Sequence, residues 1–341
     1  MLNVPQISVL MPVYNCTLYI RDAIESVLSQ TFVDFELIII DDCSTDTTLQ
    51  LCNVFTDERI IVIAKDENSG CANSLNYGLS IARGTYIARM DGDDICMPER
   101  FEKQIAFLEA NSDIILCGTA YGVIGQKGIL LVPETHEEIK MKLLSGNCIV
   151  HPSVMFRKDI LAAHNVRYDQ VMEPAEDYDL WVRLSSIGKL HNLRECLLQY
   201  RVHDSQVSVI RNEKQNQVAN QVRLKLLQVV GAEISASEST VYIKAIEKKD
   251  QLSFDEFEIL LNLKAKLFDA NRNGFLNSVG LKEYWSGIES KSIGSLFNNS
   301  STYNFLLFRQ YVSICGKLSK RLSLKQATKL FLKAVINYKV K

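Results

Sequence analysis

With 341 residues, 47% of them hydrophobic and 23% charged, the chain suits one large or two moderate globular domains, and its composition excludes disorder as the default state. Nine cysteines are scattered in odd number with no CxxC pair, which argues against disulfides and zinc and fits a reducing cytoplasm. The formal charge of −2 hides an asymmetry: residues 1–291 hold 29 basic and 40 acidic side chains, whereas Ser292 to Lys341 hold nine basic residues and no acid.

The N-terminus enters a strand-like run at Ile7 with no signal-like apolar core before it, and no stretch of eighteen apolar residues follows, so the expectation is a protein neither exported nor membrane-spanning. Strands are expected at Ile7–Met11, Phe35–Ile40, Ile60–Ala64, Tyr86–Met90 and Ile114–Cys117. Helices are expected between them at Leu18–Gln30, Thr45–Phe55, Cys71–Ala82 and Pro98–Glu109, where apolar residues recur at helical spacing, as in Ile20, Ile24, Val27 and Leu28. Such alternation predicts an α/β fold: a Rossmann-like, mostly parallel sheet with helices on both faces and its ligand site at the carboxyl ends of the strands.

Polar signals fall at those ends. Pro12-Val13-Tyr14-Asn15 follows the first strand, Asp41-Asp42-Cys43-Ser44-Thr45-Asp46 the second, and Asp91-Gly92-Asp93-Asp94 the fourth. Three aspartates in four positions repel one another unless something sits between them; a divalent cation would do so, and a solvated polar turn is the bland alternative. Neither GxGxxG nor GxxxxGK[ST] occurs, so dinucleotide and Walker sites have no specific support.

From about Thr135 to Ser208 the pattern is mixed, with a short strand at Val154–Phe156, a helix at Asp177–Ile187 and strand structure at Leu190–His203. Beyond Arg211 the sequence is mostly helical, which places a boundary near residue 210 between a catalytic domain (1–210) and a helical C-terminal region (211–341). Asp269–Gly280 imitates a calcium loop, but its twelfth position is Gly280 where a bidentate glutamate is needed, so a helix–turn–helix linker is expected. Within a basic amphipathic tail at about 317–340, Leu318, Leu322, Leu330, Phe331, Ala334, Val335 and Tyr338 form an apolar stripe beside Lys320, Arg321, Lys325, Lys329 and Lys333. Such a helix suits an anionic membrane surface or packing on the acidic remainder of the chain. Nucleic acid is not an expected partner, since this basic region lacks a stacking series of aromatics.

Six stretches now carry a resemblance: "ISVLMPVYN", "SVLSQTFVDFELIIIDDCSTDTT", "NSGCANSLNYGLSIARGTYIARMDGDDICMPERFEKQ", "HPSVMFRK", "EDYDLWVRL" and "YRVHDSQVS". In this order they resemble the family 2 glycosyltransferases of the GT-A fold, over about Ile7 to Ser208. The resemblance implies transfer of a sugar from a nucleotide diphosphate donor to an acceptor hydroxyl, with inversion. It places Pro12, Tyr14, Asn15, Asp42, Asn68, Asp91 and Gly92 at the donor, with Tyr14 packing on the base and Asp42 bonding the base edge. A carboxylate accepts well from an imide N–H, so a uridine diphosphate sugar suits Asp42; a core tyrosine and a helix cap near Thr45 are the competing readings.

Asp93 and His203 are the implied ligands of a divalent metal, Mn2+ or Mg2+, the imidazole favouring manganese. Alternation along a strand end would put Asp91 and Asp93 on one face, and Gly92 would let the nucleotide approach the backbone. Asp177 is the implied catalytic base, its ionised form favoured by a helix start, while Glu176, Asp179 and His151 are acceptor or support candidates. Many relatives carry arginine where this chain has Leu75; Arg83 or Arg89 would replace that contact to the diphosphate, or face solvent.

The resulting expectation is a metal-dependent enzyme of bacterial cell-surface polysaccharide synthesis, using a glycan or lipid-linked glycan acceptor. It would be cytoplasmic and peripheral at the inner face of the cell membrane. Alternatives are a nucleotide-sugar-binding module without transfer activity and a sugar nucleotidyltransferase, although the latter's glycine- and lysine-rich phosphate loop is missing from Pro12–Thr17.

Overall fold

Strand β1 (Ile7–Val13) is buried at all seven positions because it has a strand on either side and helices over both faces. It pairs in parallel with β2 (Phe35–Asp41), Ile7 opposite Phe35, and with β4 (Tyr86–Arg89), Ile7 opposite Tyr86. β3 (Ile60–Ala64) continues the parallel set beyond β2. The connecting helices are α1 (Ile20–Leu28), the single-turn α2 (Thr48–Cys52) and α3 (Cys71–Ile81). On α1, Ile20, Ala23, Ile24 and Val27 are buried, the spacing that the sequence shows. The computed structural model describes residues 4–204, 206, 212–247, 251–298, 303–319 and 321–339.

Past β4 the sheet is mixed. The remaining strands are β5 (Ile95–Cys96), β6 (Ile114–Val123), β7 (Met155–Arg157) and β8 (Lys189–Tyr200), and the order across the eight-stranded sheet is β3-β2-β1-β4-β7-β6-β8-β5. β7 runs antiparallel to both β4 and β6, β5 runs antiparallel to β8, and β6 and β8 are parallel. The helices of this half are α4 (Arg100–Ala110), α5 (His136–Leu143), α6 (Lys158–Ala163) and α7 (Glu176–Leu184). The expected strand–helix alternation therefore gives the parallel half, while the antiparallel insertions went unseen because hydrophobic period reports which faces are buried and not strand direction.

Two buried polar networks fix the sheet. At the amino-terminal end of the parallel strands, Glu36 accepts from Ser8 Oγ at 2.6 Å and from the Arg83 backbone N and Nε, each at 2.8 Å. Arg83 therefore lies at the end of the strands opposite to the expected site. At the β4–β7–β6 junction the fully buried Arg100 donates to the carbonyls of Arg89 (2.9 Å) and Val154 (3.1 Å) and to Gln104 Oε1 (3.0 Å). Gln104 in turn donates to the carbonyls of Cys117 and Ser153.

The chain divides into two compact units, 1–223 and 224–341. The expected boundary near 210 and the Ser208 limit of the resemblance lie outside the described residues. α8 (Asn212–Val229) runs across the division, followed by α9 (Ala236–Glu247), α10 (Phe254–Ala270), α11 (Ser278–Ile293), α12 (Phe305–Ile314) and α13 (Leu324–Val335). Tyr242, Phe257, Leu263, Leu267 and Trp285 are fully buried in the second unit, as is Glu289, which pairs with Lys264 at 2.6 Å. The calcium-like segment is a connector: Asn271 exchanges two hydrogen bonds with the backbone of Leu276 and closes the turn between α10 and α11. Among the described residues no helix is long and apolar enough to cross a membrane.

Arg100→Met would take the donor from the buried Arg89 carbonyl and from Gln104 Oε1, while the Val154 carbonyl keeps the Arg89 N at 3.0 Å, so the substitution is expected to lower the unfolding free energy by about 3 kcal/mol or more. The midpoint of urea denaturation measures it.

Candidate active site

The turns after β1 and β2 are sewn together by side chains. Asn15, in the left-handed region at φ 53°, accepts from the Thr45 backbone N at 2.8 Å and donates its own backbone N to Ser44 Oγ at 3.0 Å. This is a conformation that asparagine tolerates better than most residues. Pro12 lies buried in β1 opposite Ile40, and the chain turns out at Tyr14, which is 47% exposed and leaves an aromatic face open to solvent at the strand ends. Asn68 is exposed in the loop before α3.

Asp42 is 4% exposed and saturated by that loop and helix. It accepts from Lys65 Nζ (2.6 Å), Ser69 N (3.1 Å), Gly70 N (2.8 Å) and Ser74 Oγ (3.0 Å). Burial pushes its pKa up, but these four donors outweigh it and hold the carboxyl below its ordinary value. Its hydrogen bonds run to residues 65–74, away from α2, whose entry is instead bonded by Asp46 through the Thr48 N at 2.9 Å. The neighbouring Asp41 accepts from Ser44 N at 3.0 Å.

Asp91, Asp93 and Asp94 form a turn between β4 and β5, with one carboxylate oxygen of each within 4.8 Å of the others. Strand alternation does not produce this grouping, contrary to the sequence expectation: β4 ends at Arg89, and the turn itself folds the acids together. Gly92 also has a different reason. A Cβ there would lie 2.8 Å from Val13 Cγ1 and 3.4 Å from Cys16 Sγ and Ile20 Cδ1, so the glycine makes room for the protein's own packing.

The topology brings the far end of β8 to this turn, because β5 pairs with β8 at Ile95–Gln199. Arg201 donates its backbone N to Asp94 Oδ1 (2.8 Å) and its Nε to the Asp93 carbonyl (2.7 Å), with its guanidinium over the Tyr19 ring at 4.6 Å. Two residues on, His203 Nε2 lies 2.9 Å from Asp93 Oδ2. Burial, then the charge of Asp91, pushes the pKa values of Asp93 and Asp94 up and weakens their acidities, and Asp94 Oδ2 is buried without a hydrogen-bond partner. Hard oxygens, an orphaned carboxylate atom and an imidazole within contact of one of the acids are a donor set that fits Mn2+ or Mg2+.

Across the site, Asp177 is the second residue of α7. Its Oδ1 accepts from Tyr178 N and its Oδ2 from Asn147 Nδ2, both at 2.6 Å. The sequence expectation was that the helix start keeps this group acidic. Burial wins over those hydrogen bonds and over the charge of Arg89, so its acidity is weakened. Glu176 is pushed further, to about 8, by burial and by the charge of Asp177, and its Oε2 has no hydrogen-bond partner. Asp179, fully buried, accepts from Arg183 Nε at 2.8 Å within α7. His151 is buried as well: its Nε2 meets Tyr168 Oη at 2.9 Å, while Asn76 of α3 exchanges two hydrogen bonds with the Tyr168 backbone. His151 and Asp179 thus brace the wall of the site.

Four residues missing from the sequence reading, or left open by it, matter here. Arg89 is 5% exposed and ion-paired with Asp91, so it is no solvent-facing charge. Arg201 and Asn147 anchor the acid turn and Asp177, and neither stands in a spacing that would reveal it. Glu173 accepts from the Cys71 and Ala72 N atoms at the start of α3 (3.3 and 3.4 Å), where a Cβ on Gly70, at φ 91°, would collide with its carboxylate. Leu75 is fully buried, so that position supplies no cation.

A mixed sheet with an acid turn beyond its central parallel strands is the GT-A architecture. Staphylococcus aureus TarS residues 1–349, crystallised with UDP-GlcNAc, shares this fold at a TM-score of 0.57 and 16% identity over 86% of this chain and 93% of that one. Residues 8–163 match Glycosyl transferase family 2. An uncharacterized glycosyltransferase of Haemophilus influenzae is 30% identical over 80% of this chain and 95% of its own length. The O-antigen biosynthesis glycosyltransferase WbnJ of Escherichia coli is 35% identical over 58% of this chain and 80% of its own. The chain belongs to glycosyltransferase family 2.

Glu176 holds its proton more firmly folded than unfolded. Its contribution to stability is full below the ordinary 4.5 and lost as pH rises through about 8. In the presence of a chelator, wild type should lose on the order of 4 kcal/mol relative to Glu176→Gln between those limits, read from denaturation midpoints at each pH.

Proposed function

We propose that this glycosyltransferase moves a sugar from a uridine diphosphate donor to a hydroxyl of a glycan or lipid-linked glycan acceptor, inverting the anomeric carbon, at the inner face of the cell membrane. The observation that carries the reading is the pairing of two groups: the Asp91–Asp94 turn with its orphaned oxygen, and the Glu176–Asp177 pair with weakened acidities. One suits a leaving diphosphate and the other a proton acceptor. The UDP-GlcNAc complex of TarS supports a uridine donor, and the O-antigen role in the name of WbnJ supports a polysaccharide product.

Asp177 acts as the base. Glu176 is pushed up to about 8, while Asp177 is the member of the pair whose two oxygens are aimed, by Asn147 and the Tyr178 N–H. It takes the proton of the acceptor hydroxyl as that oxygen attacks the anomeric carbon from the face opposite the nucleotide, so one displacement inverts the centre without a covalent sugar–enzyme intermediate. Its raised pKa makes it a stronger base than an ordinary aspartate. Arg89, in contact with Asp91, keeps the surrounding acids from accumulating unopposed charge.

Tyr14 offers a face on which the base packs, beside Asn15 and Pro12. Asp42 shapes the base pocket by ordering residues 65–74, with Asn68 at its rim. A divalent cation held by Asp93 and His203, with Asp91 and Asp94 close by, would neutralise the diphosphate as it leaves.

Asp177→Asn is expected to lower kcat about a thousandfold while donor affinity, measured by calorimetry, stays within twofold of wild type. In wild type, the kcat–pH profile should fall on the acid side at a pH above the ordinary aspartate range, because the base works only when ionised and its pKa is raised. A variant with unaltered kcat would remove Asp177 from the chemistry.

A further inference from the structure

Helix α13 and its C-cap Ile336 carry two parallel rows, exposed to solvent except at the half-buried Lys333. Leu324, Thr328, Leu332 and Ile336 follow one another at four-residue intervals, and Lys325, Lys329 and Lys333 run alongside at the same interval. Four-residue steps stack side chains on one face, so these are adjacent ridges extending about 18 Å. Leu324 is 85% exposed, Leu332 57% and Ile336 69%. The helix is nevertheless held in its own unit by another face: Leu330 and Ala334 are buried, and Phe331 meets Phe308 of α12 edge to face at 5.0 Å between ring centres. The stripe expected from the sequence is therefore split, with part of it in the core of the second unit and a further apolar row left outside.

We infer that this face of α13 docks on the surface of an anionic phospholipid bilayer. An apolar row of this size has no use in water, and lysines beside it exclude an ordinary protein core as its destination. Apolar side chains entering the acyl boundary while lysines remain among anionic head groups satisfy both rows at once. The surroundings agree: residues 292–341 contain nine basic side chains and no acid, so nothing in this segment opposes a negative surface. α12 leaves Phe305, Leu306 and Val312 exposed as well.

Lys333 lies 3.9 Å from the Tyr303 ring centre and 5.1 Å from that of Tyr338, a cation between two aromatics of the kind that settle at membrane interfaces. A twelve-residue helix is too short to span the hydrocarbon core, so it lies in the plane of the interface. A second copy of the chain is the poorer occupant, because a symmetric pairing of this face would set one lysine row against another.

The test is flotation of the full chain with vesicles of phosphatidylcholine alone or mixed with phosphatidylglycerol. The protein is expected to float with the mixed vesicles and stay behind with the neutral ones. Lys325→Ser with Lys329→Ser should lower the partition at least tenfold, each lysine near the surface being worth about fivefold, and Leu332→Ser with Ile336→Ser should lower it at least as far. Both pairs are exposed, so melting temperatures should match wild type. Equal flotation with neutral vesicles, or flotation unaffected by either pair, overturns the inference. So does light scattering that shows a dimer which the Leu332 and Ile336 substitutions dissociate, since the face would then join two copies.

Discussion

The constraint on which this structure turns is mutual repulsion among carboxylates that have been taken out of water. Asp91, Asp93 and Asp94 lie within reach of a single ion, Asp94 fully buried, and none can be moved apart without breaking the turn that joins the centre of the sheet to its far edge. Charges so placed are tolerated only when opposite charge and hydrogen-bond donors surround them. Arg89 supplies one such charge from the end of β4, Arg201 two donors from the end of β8, and His203 an imidazole against Asp93. One oxygen of Asp94 is still unanswered.

Sheet topology makes the arrangement possible. The acid turn and the His203 segment are more than a hundred residues apart in sequence, and they meet because the two-residue β5 pairs antiparallel with β8. Arg100 fixes the same region from beneath by gripping the Arg89 carbonyl, so the cation paired with Asp91 is itself positioned by a second, deeper one. On the other side, Asn76, Tyr168 and His151 tie α3 to the wall near α7. The candidate site is cross-linked by hydrogen bonds around its acids, and Tyr14 and Asn68 are exposed beside it.

The parallel half of the fold was legible because β1, β2 and β4 are near-continuous apolar runs separated by helical periods, and because their polar turns fall on one edge. β5 was not legible, since two residues carry no period, and the antiparallel placing of β7 was not, since period is blind to direction. Candidate site residues stood out where chemistry clusters in sequence, as in Asp91–Asp94 and Glu176–Asp177. Arg89, Arg201 and Asn147 did not, because a lone arginine or asparagine announces itself only once burial and partners are known. At Gly92 the structure adds a reason that the sequence could not show: a Cβ there would lie 2.8 Å from Val13 Cγ1.

In the proposed function, the Asp91–Asp94 turn with His203 would hold a divalent cation that serves the donor's diphosphate. Manganese binding in the presence of UDP, followed by the loss of the free-ion electron paramagnetic resonance signal, tests it most directly. Wild type should bind manganese saturably, and the affinity should fall at least tenfold in Asp93→Ala and in His203→Ala, with both variants folded. Manganese bound equally well by all three proteins would contradict it.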